Sequence, residues 1–231
     1  MELNMKLSNN TMDVLKNYAN INSGLFFKKG NVLRTVSSQK TILAEATIDD
    51  SFPQDFGIYE LNTFLSVVSL SKETPEFEFE DKLVKIVSNK GRSKIKYRYC
   101  EPTMIKTPPE KNIVLPTPEI TLALSEEDFT WVNRVASVLS SPHIAIESDG
   151  TDVCISTLDL QNDAAHSDSL QVGKGNGDVY RIIFKTENMS KVITGAYDVQ
   201  ISSKGLAHFK NKNRKIEYWL ATENGSKFEG A

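Results

Sequence analysis

Apolar residues recur at helical spacing in four stretches of the chain. These stretches predict helices over Ser8–Ala19, over Glu60–Leu70, from Ser125 onward and over Thr186–Ile193. In the second stretch, Leu61, Phe64 and Leu65 follow the i, i+3, i+4 pattern of an amphipathic helix. Ser8 and Ser125 precede the first and third stretches, where a hydroxyl can cap the first backbone N–H groups.

Most of the remaining chain alternates between apolar and polar residues, which is typical of half-buried strands. Strands are predicted at 24–28, 32–36, 41–48, 56–59, 76–80, 83–87, 92–99, 143–147, 152–157, 180–185, 197–202, 206–210 and 216–221. Gly30 and Gly150 mark hairpin turns. Gln161–Asp178 is polar and rich in glycine. Its run Gly173–Gly177 predicts a flexible loop, because it lacks the GK[ST] ending and following helix of a phosphate loop.

Five prolines occur between Pro102 and Pro118. Proline lacks a backbone donor and pushes the preceding residue into an extended conformation, so this stretch cannot be helical. We therefore expect Glu101–Pro118 to be an extended interdomain linker between one domain at 1–100 and another at 119–231.

The order of helix, strands, helix and three strands occurs twice along the chain. Leu7-Ser8 matches Leu124-Ser125 at an offset of 117, and Asn89–Arg92 matches Asn211–Arg214 at 122. The alternative is coincidence between two unrelated α+β domains. The repetition favours a duplicated α+β domain, each copy having two helices packed on one side of antiparallel sheets. Such a duplication suggests a quasi-symmetric ring or arc with helices along one surface.

Composition narrows the function classes. The chain has 231 residues with 27 basic and 30 acidic groups, a net charge of −3. This balance argues against a protein that holds nucleic acid by bulk attraction. Residues 1–100 carry 14 basic and 12 acidic groups, whereas residues 101–231 carry 13 and 18. No apolar run approaches the ~20 residues of a membrane span, so no membrane partner is expected.

The sequence offers little catalytic chemistry. His143, His166 and His208 are scattered, without metal-ligand spacing. Cys100 and Cys154 lie far apart in apolar, strand-like runs, which favours buried free thiols, with a disulfide as the alternative. We expect a non-catalytic protein without a metal or cofactor.

Two stretches resemble the sliding clamps of T-even-type bacteriophages. One is Met5-Lys6-Leu7-Ser8 with Leu15-Lys16-Asn17 and Ala19-Asn20-Ile21-Asn22-Ser23-Gly24. The other is Ile58-Tyr59-Glu60-Leu61-Asn62-Thr63-Phe64-Leu65, continuing to Leu70. The resemblance implies a DNA polymerase processivity factor, a homotrimeric closed ring of six similar domains around duplex DNA.

The resemblance further implies an ATP-dependent clamp loader, transcription co-activators for late transcription, and a location in the cytoplasm of the infected bacterial host. By the same resemblance, the chain itself is expected to hydrolyse nothing. The alternative from another class is a structural virion protein built of duplicated α+β domains.

If helices line the hole, their polar faces should meet DNA, with solvation alone as the alternative. The candidate DNA-facing residues are Lys16, Asn17, Asn20, Asn62, Ser66, Asn133, Arg134, Asn188 and Lys191. Contacts there would reach phosphates and water, so no base readout is expected.

The charge split suggests how a ring would close. The predicted strand Arg92–Tyr99 is basic at alternate positions, which fits either a solvated sheet face or a charged edge. We hypothesise that this edge pairs with the acidic segment Asp159–Val172 of the next subunit. The candidate interface residues are Arg92, Lys94, Lys96, Arg98, Asp163 and Asp168.

Clamp partners insert a short apolar peptide into a pocket near the domain junction, and this chain has an apolar end to its predicted linker. The candidate pocket residues are Tyr99, Ile113, Val114, Leu115 and Pro116. Alternatively, these residues merely pin the linker to the core.

Overall fold

The computed structural model describes residues 3–111 and 113–230. The chain divides into two compact units, and it passes from the first to the second between Glu110 and Lys111.

The first unit contains two helices and a series of antiparallel strands. The helices are α1 (Asn9–Ile21) and α2 (Leu61–Ser69). The strands are β1 (Leu3–Met5), β2 (Leu25–Phe27), β3 (Gly30–Val36), β4 (Ile42–Phe52), β5 (Phe56–Ile58), β6 (Glu76–Phe79), β7 (Leu83–Ser88) and β8 (Ser93–Arg98). One sheet has the order β1-β6-β7-β8, while β2 pairs with β5 and β3 pairs with β4.

The second unit repeats this plan. Its helices are α3 (Glu126–Val138) and α4 (Thr186–Met189). Its strands are β9 (Ile120–Leu124), β10 (His143–Asp149), β11 (Asp152–Leu158), β12 (Asp168–Lys174), β13 (Val179–Lys185), β14 (Tyr197–Ser202), β15 (Leu206–Asn211), β16 (Ile216–Ala221) and β17 (Lys227–Gly230). One sheet has the order β12-β11-β10-β13-β17, and the other contains β9-β14-β15-β16.

The two units share one topology. In each, a strand and a helix are followed by four strands, a second helix and three strands, and the second unit adds a fourth strand, β17, at its end. The sheet β1-β6-β7-β8 of the first unit corresponds strand for strand to β9-β14-β15-β16 of the second. The duplicated α+β fold predicted from the sequence is therefore confirmed.

The predicted caps begin both long helices. The Ser8 hydroxyl accepts a hydrogen bond from the backbone N–H of Thr11 at 3.2 Å, and the Ser125 hydroxyl accepts one from that of Asp128 at 3.0 Å. Each bond satisfies a donor that the first helical turn leaves without a partner. The predicted apolar face of α2 is buried, including Leu61, which is 0% exposed.

Each unit has its own aromatic core. In the first, Phe27 stacks on Phe56 with ring centroids 4.4 Å apart, and Phe52 meets Phe27 edge-on at 4.8 Å. In the second, Tyr197 packs on Phe129 of α3 at 5.3 Å. Such aromatic pairs contribute about 1 kcal/mol each beyond the area they bury. The pairs of the first unit join strands β2, β4 and β5, and the pair Phe129–Tyr197 holds helix α3 against strand β14.

Several predictions of local structure were wrong. The fourth helix ends at Met189, so the predicted continuation to Ile193 is turn and bend. The polar region Gln161–Asp178, in which no strand was predicted, contains strand β12, and this strand takes up the first two residues of the loop predicted at Gly173–Gly177. Strands β1, β9 and β17 were not predicted. Strands β1 and β17 have three and four residues, too few for alternation to stand out.

The predicted linker 101–118 contains the unit boundary. Its first part folds back on the first unit, beginning with a bridge between Cys100 and Gly57 and a short 3₁₀ turn over Pro102–Met104. Ile105 is buried with 7% exposure. Residues 101–110 are thus a structured part of the first unit.

Candidate functional surfaces

The polar faces of the first two helices carry several of the predicted DNA-facing side chains. Lys16 and Asn20 of α1 and Asn62 and Ser66 of α2 are exposed, while Asn17 is half-buried. These groups are amides, a hydroxyl and one ammonium. The amides and the ammonium can donate to phosphate oxygens directly or through water, whereas the Ser66 hydroxyl already donates to the Asn62 backbone carbonyl at 2.8 Å.

On α3, the two predicted residues differ. Arg134 is exposed. Asn133 is half-buried, and its side-chain amide donates to the backbone carbonyl of Phe129 at 2.8 Å. Because that bond occupies an Asn133 donor within the helix, Arg134 is the better placed of the pair to reach a ligand.

The fourth helix does not present its predicted residues as expected. Asn188 is only 4% exposed, so its assignment to the polar surface is wrong. The short helix turns this side chain inward together with Met189. Lys191 lies beyond the helix end, and its ammonium pairs with the Glu187 carboxylate at 2.8 Å.

Strand β8 is an outer strand of its sheet. Lys94, Lys96 and Arg98 are exposed along it, and the alternate residues Ser93, Ile95 and Tyr97 are half-buried. Within the part of the chain that the structure describes, β8 pairs with β7 alone. Its other edge therefore offers backbone donors and acceptors beside a row of cations.

The inner face of β8 is held by α2. The Tyr97 hydroxyl donates to the Glu60 carbonyl at 3.1 Å, and the Tyr97 ring meets Phe64 edge-on at 5.2 Å. Burial raises the pKa of the Tyr97 hydroxyl, and the carboxylate of Glu60 raises it further. Tyr97 thus fixes the basic strand to the helix layer.

In the second unit, strand β12 is an outer strand of its sheet. It pairs with β11, with a register shift between Val153 and Cys154. Asp168 begins the strand and is half-buried, and Asp163 is exposed in the preceding loop. The Asp168 carboxylate accepts from the indole N–H of Trp131, a half-exposed residue of α3 that sequence reasoning missed.

The residues predicted to form a partner pocket fall in different units. Tyr99 belongs to the first, where its ring packs on Phe56 at 4.9 Å and burial raises its hydroxyl pKa to about 12. The remaining candidates, Ile113, Val114, Leu115 and Pro116, belong to the second. Val114 is 83% exposed and its neighbours are half-buried.

Comparison with known proteins identifies the family. The model of the DNA polymerase processivity factor family matches residues 6–106. The sliding clamp of Vibrio phage KVP40 is 31% identical over 225 residues, covering 95% of this chain and 99% of the relative. The chain belongs to the sliding-clamp family. The sliding clamp of Enterobacteria phage T4 is 32% identical over 206 residues, covering 87% of this chain and 89% of the relative.

Solved structures of sliding clamps share the fold. A PCNA from A. fulgidus, solved with the C-terminal region of FEN-1 bound, has a TM-score of 0.68 at 15% identity. The match covers 97% of this chain and 99% of that PCNA. The resemblance to T-even-type phage clamps is thus confirmed, with both units accounted for by the clamp fold. The closed ring is a property of this family.

The rest of this clamp's titratable chemistry is unremarkable for catalysis. Over residues 3–111 and 113–230, no group of three or more His, Cys, Asp and Glu side chains could hold a metal ion. Cys100 and Cys154 are free thiols, as predicted, although they are half-buried rather than buried. Among the described residues, no helix is long and apolar enough to cross a membrane.

Proposed function

We propose that three copies of the chain close head to tail into a ring around duplex DNA and tether the replicative DNA polymerase. The observation that carries the proposal is that basic β8 of the first unit and β12 of the second unit are both outer strands of their sheets. A heterologous contact between two different edges closes into a ring when its rotation fits.

Charge supports this pairing. The half containing β8 has a net charge of +2 and the half containing β12 has a net charge of −5. Lys94, Lys96 and Arg98 are exposed on one edge, and Asp163 is exposed beside the other. Opposite charges on two edges speed their encounter. Like charges disfavour the pairing of two copies of the same edge. Arg92, in the turn before β8, adds a further exposed cation.

The helix faces suit a ring that slides. The candidate DNA-facing residues that the structure leaves at least partly exposed are Lys16, Asn17, Asn20, Asn62, Ser66, Asn133, Arg134 and Lys191. Most are neutral, and the first turn of α3 adds acidic Glu126, Glu127 and Asp128. A closed ring is retained by topology, so few phosphate contacts are needed and sequence is not read.

The partners follow from this role. DNA polymerase would bind through an apolar peptide at Ile113–Pro116, in keeping with the FEN-1 region bound by the A. fulgidus PCNA. An ATP-dependent clamp loader would open the ring, and transcription co-activators would use it for late transcription. The clamp would catalyse no reaction itself, and would act in the cytoplasm of the infected bacterial host.

The decisive test combines mass and topology. Sedimentation equilibrium should give three subunits. After loading with the loader of a T-even-type phage and ATP, the clamp should remain on nicked circular DNA and leave linear DNA by its ends. A stable monomer, or equal retention on both DNAs, would overturn the proposal. Assembly into larger shells without DNA would instead favour a structural virion protein.

A further inference from the structure

A groove of about 360 Å³ lies within the first unit, between the β2–β3 turn and the segment Pro102–Glu110. Phe26 and Val32 supply its apolar lining, and Val32 is 41% exposed, which is unusual for a valine in a strand. The volume is at the lower end of the range for ligand pockets, enough for one or two side chains.

The wall formed by residues 102–110 is fixed in place. Ile105 is 7% exposed and seats against Gly24 and Gly57, where an added Cβ would lie 3.3 Å and 3.0 Å from its side chain. The Lys106 carbonyl accepts from the side-chain amide of Asn22 at 3.0 Å. The groove is therefore preformed, which lowers the entropic cost of binding.

The turn side of the groove is basic. Lys28 and Lys29 are exposed at its mouth. Arg34 is already committed, because its guanidinium pairs with Glu45 at 2.9 Å and donates to the Pro109 carbonyl at 3.0 Å. The two lysines are thus the cations that a ligand can reach.

One acidic side chain lines the same mouth. The Glu110 carboxylate lies 3.3 Å from the Lys28 ammonium, and the two side chains are 89% and 60% exposed. Ion pairs this exposed contribute little stability. A carboxylate arriving from outside can therefore take the place of Glu110 on Lys28 at small cost.

We propose that this groove binds a peptide in which one or two apolar side chains are flanked by carboxylates. The apolar groups would cover Phe26 and Val32, and the carboxylates would pair with Lys28 and Lys29. Glu110 then acts as a built-in competitor. The site is formed by the first unit alone and shares no residue with the pocket proposed at Ile113–Pro116.

The test uses a fluorescein-labelled peptide, Glu-Asp-Leu-Phe-Asp-Glu, and the whole protein in a fluorescence anisotropy titration at low salt. Combining Lys28→Glu with Lys29→Glu should weaken binding about tenfold. The matched control combines Lys82→Glu with Lys90→Glu, two exposed lysines of the same unit outside the groove. Glu110→Gln should tighten binding about threefold, because the competitor loses its charge.

Two further measurements keep the site falsifiable. Val32→Thr preserves the branched strand residue and should weaken binding, whereas the peptide with Ser in place of Leu and Phe should bind little. Equal binding of the Ser peptide would reduce the effect to charge alone and overturn the proposal. Binding that is insensitive to the changes at Lys28, Lys29 and Val32 would place the peptide elsewhere, with the same result.

The inference rests on the proposed function only for the source of the peptide, a protein that the clamp tethers. The titration involves neither DNA nor a loader. If the groove binds the peptide but sedimentation gives a monomer, the ring proposal alone fails. If sedimentation gives a trimer that does not bind the peptide, the groove proposal alone fails.

Discussion

The indole N–H of Trp131 donates a hydrogen bond to the Asp168 carboxylate at 2.9 Å, tying the middle of α3 to the first residue of β12. The bond satisfies the polar edge of the indole while half of the residue, 51%, stays exposed. Because tryptophan is enriched among the dominant residues of protein interfaces, we predict that the end of β12 is a contact surface.

Trp131 should report ring assembly directly. The only other tryptophan, Trp219, is 8% exposed and stacks on His208 at 4.8 Å, so acrylamide reaches Trp131 preferentially. We expect acrylamide quenching to increase several-fold when dilution converts trimer to monomer. The Trp219→Phe variant should preserve this change. Quenching that does not vary with concentration across the transition would exclude Trp131 from the interface.

Reversing charge on β8 should open the ring. In the variant combining Lys94→Glu with Lys96→Glu, the proposed edge pairing becomes repulsive, and monomers should dominate at low salt. Analytical ultracentrifugation measures this outcome. Lys210→Glu with Lys227→Glu changes the net charge equally on exposed positions of β15 and β17, and should leave the trimer intact. An unchanged trimer in the β8 variant would refute the pairing.

The apolar end of the predicted linker should contribute to partner binding. Leu115→Ala is expected to weaken binding of a short apolar partner peptide about tenfold, because it removes a half-buried aliphatic contact. Isothermal titration provides the affinity. Leu70→Ala, a change at a 74% exposed leucine of the first unit, is the control. Unaltered affinity for Leu115→Ala would argue against the site.

Gly57 should not tolerate a side chain. A Cβ there would lie 3.0 Å from the Cys100 carbonyl oxygen, from its sulfur and from the Ile105 side chain. Gly57→Ala should therefore lower the free energy of unfolding by about 2 kcal/mol, measured by urea denaturation. Gly173→Ala is the matched control, since its nearest neighbour is 3.9 Å away. If Gly57→Ala has the same urea midpoint as Gly173→Ala, the segment containing Cys100 and Ile105 can move aside without loss of stability.

Glu119 should make stability depend on acid. The backbone N–H of Ser203 donates to its carboxylate at 2.8 Å and the hydroxyl at 2.9 Å, and these bonds hold the Glu119 pKa below its ordinary value. The ionised Glu119 carboxylate therefore raises the free energy of unfolding. This stabilisation is complete above the ordinary carboxyl pKa, about 4.3, and is lost as pH falls through the lowered pKa.

The matching change is Glu119→Gln. It should cost about 1 kcal/mol at pH 7 and almost nothing near pH 2, compared by urea denaturation. Glu101→Gln, an exposed glutamate of the first unit, supplies the control. A deficit that is the same at both pH values would show that the charge of Glu119 is irrelevant.

Local signals in the sequence predicted the parts of the fold that are decided locally. Ser8 and Ser125 correctly predicted the starts of their helices, because each capping bond joins residues only three positions apart. The alternation along β8 correctly predicted an exposed basic row and a half-buried row. The duplication was visible because both copies keep the same element order.

The rest depended on contacts distant in sequence. The sequence of strand β12 is typical of a polar loop. The reason is that β12 is an outer strand with a register shift against β11, and all its residues are at least partly exposed. The continuation beyond Met189 has helical spacing, yet the chain must turn there to enter β14. Asn188 was consequently assigned to the wrong face.

The open edges of β8 and β12 also make the protein prone to aggregation before it assembles. A newly made chain carries both β8 and β12 with open backbone groups, and such edges template aggregation. The row of Lys94, Lys96 and Arg98 keeps two β8 edges from joining each other. In a finished ring these two edges would be covered by each other, so ring closure would also protect them against fibre formation, and slow-closing variants should be the ones that precipitate.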